Sequence, residues 1–538
     1  MIEEALRLEI LDWIAKDPDT KTASVLRRWL DESNEIELRK SFSGFLQFGT
    51  AGLRGEVRPG PSGMNRAVVA RTAAGIAEFL KSRNLKRIVI GHDARNGSKE
   101  FMAESAEILS GAGLDVYLLP RELPTPVLAF AVNELKMDCG IMITASHNPA
   151  LDNGYKVYLG GVVDGTVYRG SQIVSPADLQ IAAKIAEVSW PLPRGDNWQI
   201  VGEGLIDSYV SKISADKSES AKARIIYTAM HGVGTKTLLS VFECAKFQRP
   251  ILVTEQAEPD PKFPTVKFPN PEESGAIDLA ISLATSEGAD LVIANDPDAD
   301  RCAVAAKGLD GNWSMLTGDQ LGTIFGYYLA SKKSVRGGVL ATTIVSSSAL
   351  EKIAAKFGLK YQETLTGFKY LSKVEDLIFG YEEAIGYCVD PRSVNDKDGI
   401  SAALLAAQIN SELLSNGLSL FDYLAKIWQE IGLHLTSQIS IRVNELEVRN
   451  RILRDLRQMP PEEIAGIKVV SFEDLALSPT PTDGLRIWLA GDIRIIIRPS
   501  GTEPKLKCYI EITGAAEESK SLMDQVKGEL NKLFTRYS

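Results

Sequence analysis

A serine hydroxyl beside an imidazole is the first chemistry the chain offers. In Thr144-Ala-Ser-His-Asn-Pro149, Ser146 has the form of a covalent nucleophile, with His147 in reach of its proton. The same spacing also suits a polar turn whose serine caps a helix. A second constellation is Asn295-Asp-Pro-Asp-Ala-Asp-Arg301. Asp296, Asp298 and Asp300 alternate, so an extended backbone would turn all three carboxylates one way. Three like charges repel unless a cation sits among them. Hard oxygen ligands suit Mg²⁺ or Ca²⁺, and room left for water or a phosphate oxygen favours Mg²⁺; a solvated acidic turn is the alternative. The glycine and distal glutamate of an EF-hand are missing. Arg301 follows at once and could offset charge or hold substrate.

Basic groups are spread more widely. Arg498-Pro-Ser-Gly-Thr-Glu-Pro-Lys-Leu-Lys507 gathers Arg498, Ser500, Thr502, Lys505 and Lys507 around Gly501, donors suited to a phosphate dianion. Arg54, among the glycines of Phe48-Gly-Thr-Ala-Gly-Leu-Arg-Gly55, is a candidate phosphate clamp or a solvated arginine. Lys156, between aromatic residues, could be partly buried and trade protons, or lie along the surface. Lys369 is a possible anion contact. Glu382 and Glu383 could accept bonds from sugar hydroxyls or stabilise a helix start. His92 and Arg95 read as structural.

These loops need elements to hold them. Ile141 to Ile143 is a short apolar run, which predicts a buried strand delivering Ser146 at its end, where open α/β sheets place ligands. Arg87–Ile90, Asp115–Leu119 and Gly154–Tyr158 read as further strands with helices between them. That rhythm predicts a mixed, mostly parallel sheet with right-handed crossovers. Similar units follow, one leading into the aspartate loop and one into Glu382. Residues 1–47 read as helices. After about 433, grouped strands and a final helix suggest an α+β domain. The expected divisions are 1–204, 205–311, 312–432 and 433–538.

Composition bounds the function. The net charge of −10 leaves no basic excess for nucleic acid. No apolar run reaches membrane-spanning length. Five cysteines lie far apart, which suits free thiols in a reducing compartment. With an acidic, amphipathic N-terminus unlike a signal or transit peptide, this points to the cytoplasm.

Taken together, the Ser146, aspartate, Gly380-Tyr-Glu-Glu-Ala-Ile-Gly386 and Arg498 motifs resemble those of the α-D-phosphohexomutase superfamily. The glycine-rich opening is most similar to its phosphoglucomutase-2/phosphopentomutase-like branch, which includes bacterial phosphoglucomutases and phosphomannomutases. The motifs stand in family order over nearly the whole chain. The resemblance implies four domains around a central cleft, three related α/β units and a C-terminal α+β domain. It implies that Ser146 carries a phosphoryl group, with Mg²⁺ held by Asp296, Asp298, Asp300 and an oxygen of phosphorylated Ser146. The phosphate passes to a hexose monophosphate, through a hexose 1,6-bisphosphate that also serves as activator, and returns to Ser146. Arg498, Ser500, Gly501, Thr502 and Lys507 would hold the idle phosphate, and Glu382 and Glu383 the sugar. His147 and Lys156 would move protons, with Arg54 and Arg301 as electrostatic support. The implied partner is a small sugar phosphate, without nucleic acid or membrane, and the chain acts as monomer or homodimer. One departure is Ala384, where many hexomutases carry serine. It leaves glucose, mannose and pentose phosphates open, so a phosphopentomutase is the alternative and a sugar-phosphate phosphatase a remoter one.

Overall fold

The computed structural model describes residues 2–49, 52–215, 223–332, 337–442, 446–499, 505–514 and 516–535. The chain forms two compact units. The first comprises Met1–Leu316, Phe368–Phe379 and Ala384–Ser419; the second comprises Thr317–Gly367, Gly380–Glu383 and Leu420–Ser538.

In the first unit, three short helices (Glu4–Lys16, Thr20–Asp31, Glu35–Ser41) bury one apolar stripe each, including Ile10, Leu26 and Leu38. A mixed sheet follows. Its strands run in the order Leu53–Glu56, Asp152–Leu159, Cys139–Ile143, Arg87–His92, Asp115–Leu118, Trp198–Ile200. The last four are parallel and the first two antiparallel to their neighbours. Cys139–Ile143 lies near the middle and is buried along its whole length, as a strand covered on both faces must be. Its small Gly140 admits Val132, whose side chain would lie 2.4 Å from an added Cβ. Helices Arg66–Lys81, Ser98–Gly111, Thr125–Glu134 and Ala177–Glu187 cover the sheet.

The same unit holds a second sheet, in the order Ile251–Leu252, Ile225–Thr228, Leu291–Ala294, Ala303–Lys307, Trp313–Met315. Its first three strands are parallel and the last two antiparallel. Helix Gly399–Leu414 is almost wholly buried, and the Asp398 carboxylate accepts its Ile400 and Ser401 N–H groups. The helix therefore starts on a fixed cap.

In the second unit, Val339–Thr343 pairs in parallel with Lys360–Thr364. The C-terminal part is an antiparallel sheet in the order Leu433–Arg442, Lys505–Gly514, Ile493–Pro499, Leu485–Leu489, Ile467–Asp474, Glu463–Ile464. Helices Leu446–Gln458 and Ala516–Thr535 contribute Ile452, Leu456, Val526 and Leu530 to its core, the expected α+β layering. Arg494 is buried there and donates to the Ile344 carbonyl at 3.4 Å, and pairs with Glu511 at 2.7 Å. All five cysteines are free thiols, and only Cys244 is exposed. Among the described residues, no helix is long and apolar enough to cross a membrane.

Candidate active site

Strand Cys139–Ile143 ends in Thr144, and the chain turns at Ser146 with φ 51°. The Thr144 hydroxyl accepts the Ser146 N–H at 2.9 Å. No helix follows; the chain returns as strand Asp152–Leu159. Ser146 is therefore not a helix cap, and its hydroxyl is left for other work. Its Oγ donates to Asp296 Oδ2 at 2.6 Å and lies 3.1 Å from His147 Nδ1.

Asp296 belongs to the aspartate loop, which follows strand Leu291–Ala294. The loop is not extended. Ala299 adopts φ 54° and its N–H closes on the Asp296 carbonyl at 2.8 Å. A left-handed residue in a tight turn, rather than strand alternation, gathers the carboxylates. One oxygen from each of Asp296, Asp298 and Asp300 lies within 4.8 Å of the others. Asn295, where the loop begins, donates to the Arg301 carbonyl at its far end at 2.6 Å and to the Gly399 carbonyl of helix Gly399–Leu414 at 3.1 Å.

Lys156 is buried, not spread along the surface. Its ammonium donates to Asp298 Oδ2 at 2.7 Å and Asp300 Oδ2 at 2.9 Å. The other oxygens, Asp298 Oδ1 and Asp300 Oδ1, are buried with no hydrogen-bond partner among the described residues. Two buried, unpartnered carboxylate oxygens beside a third carboxylate fit a divalent cation with hard-oxygen preference.

Charge follows the geometry. Burial and then the Asp298 and Asp300 charges push the Asp296 carboxyl well above its ordinary value. Burial would raise Asp300 as well, but Lys156, Lys397 and Arg301 outweigh it and hold Asp300 low. Burial would strip the Lys156 proton; Asp298 and Asp300 outweigh that and hold it charged. For His147, burial and the nearby Arg301 and Arg54 charges press the imidazole well below its usual range, so it is neutral. Arg54, on strand Leu53–Glu56, donates to Asn148 Oδ1 at 3.0 Å. Arg301 lies 3.6 Å from Glu272.

Three contributors carried no such reading in the sequence. Thr125, at the start of helix Thr125–Glu134, donates its hydroxyl to Asp298 Oδ2 at 2.7 Å and its N–H to the Asp298 carbonyl at 2.9 Å. In the sequence, the flanking Pro124 and Pro126 mark a turn and give Thr125 no distinguishing signal. Lys397 Nζ lies 3.5 Å from Asp300; its signal was a lone lysine between aspartates. Arg95, read as structural, is buried against the Ser146 loop and donates to the Ser146 carbonyl at 2.5 Å.

Lys369 sits on the short helix Phe368–Leu371, its ammonium 5.2 Å from the Tyr370 ring. In the second unit, Glu382 ends strand Leu377–Glu382 and is buried. Glu383 lies 3.3 Å from the Ser346 hydroxyl. Burial and Asp319 raise its carboxyl, while Lys507 and Arg498 pull it down. Arg498 and Lys507 are opposite one another across antiparallel strands. The buried Arg498 Nε has no partner among the described residues. Ser500, Gly501 and Thr502 lie outside the described residues.

Family models described as phosphoglucomutase/phosphomannomutase match in sequence order. Alpha/beta/alpha domain I matches residues 46–188, domain II 204–311, domain III 317–431 and the C-terminal domain 446–529. A Haemophilus influenzae protein named "Probable phosphomannomutase" is 47% identical over 84% of this chain and 93% of its own length. A Homo sapiens phosphopentomutase is 35% identical over 98% of this chain and 94% of its own. The solved structure of a phosphoglucomutase/phosphomannomutase family protein from Burkholderia thailandensis superposes with a TM-score of 0.71. It covers 91% of this chain and 97% of its own at 19% identity, a likeness of fold. The four-domain α/β architecture expected from the motifs is thus present, and the chain belongs to the phosphoglucomutase/phosphomannomutase family of α-D-phosphohexomutases.

Proposed function

We propose that the chain interconverts hexose 1-phosphate and hexose 6-phosphate, with Ser146 as the phosphoryl carrier. The observation behind this is the 2.6 Å contact between Ser146 Oγ and Asp296, inside a buried carboxylate cluster. Asp296, Asp298, Asp300 and Ser146 would hold Mg²⁺. When bound, the ion would neutralise charge developing on the transferred phosphoryl group.

In the forward half-reaction a free hydroxyl of the sugar phosphate attacks the phosphorus of phosphoserine 146. The new O–P bond forms, the P–Oγ bond breaks, and Oγ ends as a hydroxyl. His147, held neutral, is suited to take the attacking hydroxyl's proton. Lys156, held charged, is suited to supply one to the departing oxygen. The product is a hexose 1,6-bisphosphate, which returns its other phosphate to Ser146. Arg54 and Arg301 supply positive charge. Glu382 and Glu383 would read sugar hydroxyls; Arg498, Ser500, Gly501, Thr502 and Lys507 would grip the idle phosphate, and Lys369 is a separate candidate anion contact. The domains implied are 1–204, 205–311, 312–432 and 433–538. A cytoplasmic monomer or homodimer completes the proposal, in keeping with five free thiols.

The deciding experiment is a coupled assay on glucose, mannose and ribose 1-phosphates with a trace of hexose 1,6-bisphosphate, alongside intact-mass analysis. Hexose turnover and a phosphoryl mass adduct that Ser146→Ala abolishes are expected. A Ser146→Ala protein as active as wild type would sink the carrier role. A second reading is a phosphopentomutase, which the 35% identical relative favours; a higher kcat/KM on ribose 1-phosphate would select it. Steady phosphate release without isomerised sugar would instead indicate a phosphatase.

A further inference from the structure

Arg95 follows strand Arg87–His92 by three residues and is 4% exposed. One guanidinium nitrogen donates to the carbonyls of Ser146 at 2.5 Å and Asn148 at 2.6 Å. The other donates to those of Pro149 at 2.8 Å and Asp152 at 3.0 Å. Three carbonyls of the loop and that of Asp152, where the next strand begins, thus converge on one rigid fork, a pattern that a lysine's single nitrogen cannot reproduce. The fork is itself seated. Asp93 lies 3.5 Å from Arg95 Nε and accepts the Arg95 N–H and the Ser98 hydroxyl. On another side, the ring of Phe263 lies 4.9 Å from the guanidinium carbon. Phe263 is buried and held at φ 47°, in the loop between Glu258 and Pro271.

Ser146 has a left-handed backbone, a conformation that persists in a non-glycine residue only where its surroundings over-determine it. A peptide plane is rigid, so fixing the Ser146 carbonyl also fixes the direction of the His147 N–H. We propose that Arg95, backed by the Phe263 ring, is the positioning residue that keeps Ser146 Oγ aimed at Asp296 during phosphoryl transfer. Arg95 touches backbone and not the reacting atoms, so it acts through the loop. The inference rests on the mutase reading above.

Arg95→Lys and Phe263→Leu test it, with steady-state kinetics, thermal unfolding and hydrogen exchange on the full chain. For Arg95→Lys, kcat should fall on the order of 100-fold, as for a misplacement near 1 Å. KM for the sugar phosphate should change by less than about threefold. Exchange should rise in residues 144–152 and stay slow in Cys139–Ile143. Phe263→Leu should lower kcat by about 10-fold with the same exchange signature. An Arg95→Lys protein with wild-type kcat overturns the proposal. So does one whose exchange rises equally in the strand and the loop, because that is general loss of fold. The exchange measurement needs no substrate. A wild-type protein that isomerises no sugar phosphate therefore sinks the mutase reading alone, and an Arg95→Lys loop exchanging at the wild-type rate sinks the positioning role alone.

Discussion

Thr125 shows how few atoms decide the state of the carboxylate cluster. Its hydroxyl and the Lys156 ammonium both donate to Asp298 Oδ2, leaving Oδ1 of the same carboxylate without a partner among the described residues. Groups that orient a ligand in this way tune metal affinity although they never touch the ion. Thr125→Val keeps the shape and removes the donor. It should weaken Mg²⁺ binding by about 10-fold or more, measured by calorimetric titration. Removing the metal altogether with a chelator should abolish turnover, and Mg²⁺ should restore it. The residue types were legible from spacing alone: a Ser-His pair, three aspartates, and a lysine between aromatic residues whose burial only the fold decides. Thr125 was not, because its partner lies 173 residues away and no local pattern marks a contact that only folding creates. The turn at Ala299 was not legible either. Alternating aspartates converge equally well on an extended backbone or on a left-handed turn, and only the neighbouring peptide groups select between them.

Among the elements, strand Asp152–Leu159 carries Lys156 and packs backbone to backbone against its neighbours. A Cβ on Gly154 would sit 2.4 Å from the Thr144 carbonyl and 3.0 Å from that of Leu53. Gly154→Ala should therefore part the strands that hold Arg54 and Ser146. Activity should drop, and thermal unfolding should show a destabilisation of about 1–3 kcal/mol. In the second unit, burial would raise Glu511, but Arg494 and His434 outweigh it and bring it to about 2. Its stabilisation is present above the ordinary glutamate range and is lost as pH falls towards 2. Arg494→Leu would leave that carboxylate buried without its guanidinium. A loss of about 3–5 kcal/mol is expected in denaturant unfolding. Asp398 behaves in the opposite sense. Burial raises it from 3.8 to about 6, so the folded state binds its proton more tightly, and stability falls as pH rises between those values. Asp398→Asn keeps the helix cap and removes that cost. Its stability relative to wild type should grow from pH 4 to pH 7 by on the order of 3 kcal/mol. Strand Gly154–Tyr158 was readable from apolar periodicity; strand Lys505–Gly514, which carries Glu511, was not, because its first residues read as part of the basic loop ending at Lys507. The partners of Glu511 and Asp398 were not, because burial is a property of the assembled layers.

At the scale of the whole molecule, the Ser146 loop and the carboxylate cluster both belong to the first unit, whose chain is discontinuous. Ala384–Ser419 returns to it and brings Lys397, Asp398 and helix Gly399–Leu414. The Gly399 N–H closes on the Ala299 carbonyl at 3.1 Å, at the very turn that gathers the aspartates. A fragment ending at Leu316 would lose these contacts although it contains Ser146 and all three aspartates. Such a fragment should show no cooperative thermal transition by circular dichroism; a wild-type-like transition would contradict this account.

The cysteines supply a clock for each unit. Cys139, Cys302 and Cys388 are buried in the first and Cys508 in the second, with Cys244 alone at the surface. Sealed thiols react with an alkylating reagent only when the protein around them opens. One fast modification followed by a group of three and a single one, each at its own rate, would report how independently the two units breathe, without any engineered probe.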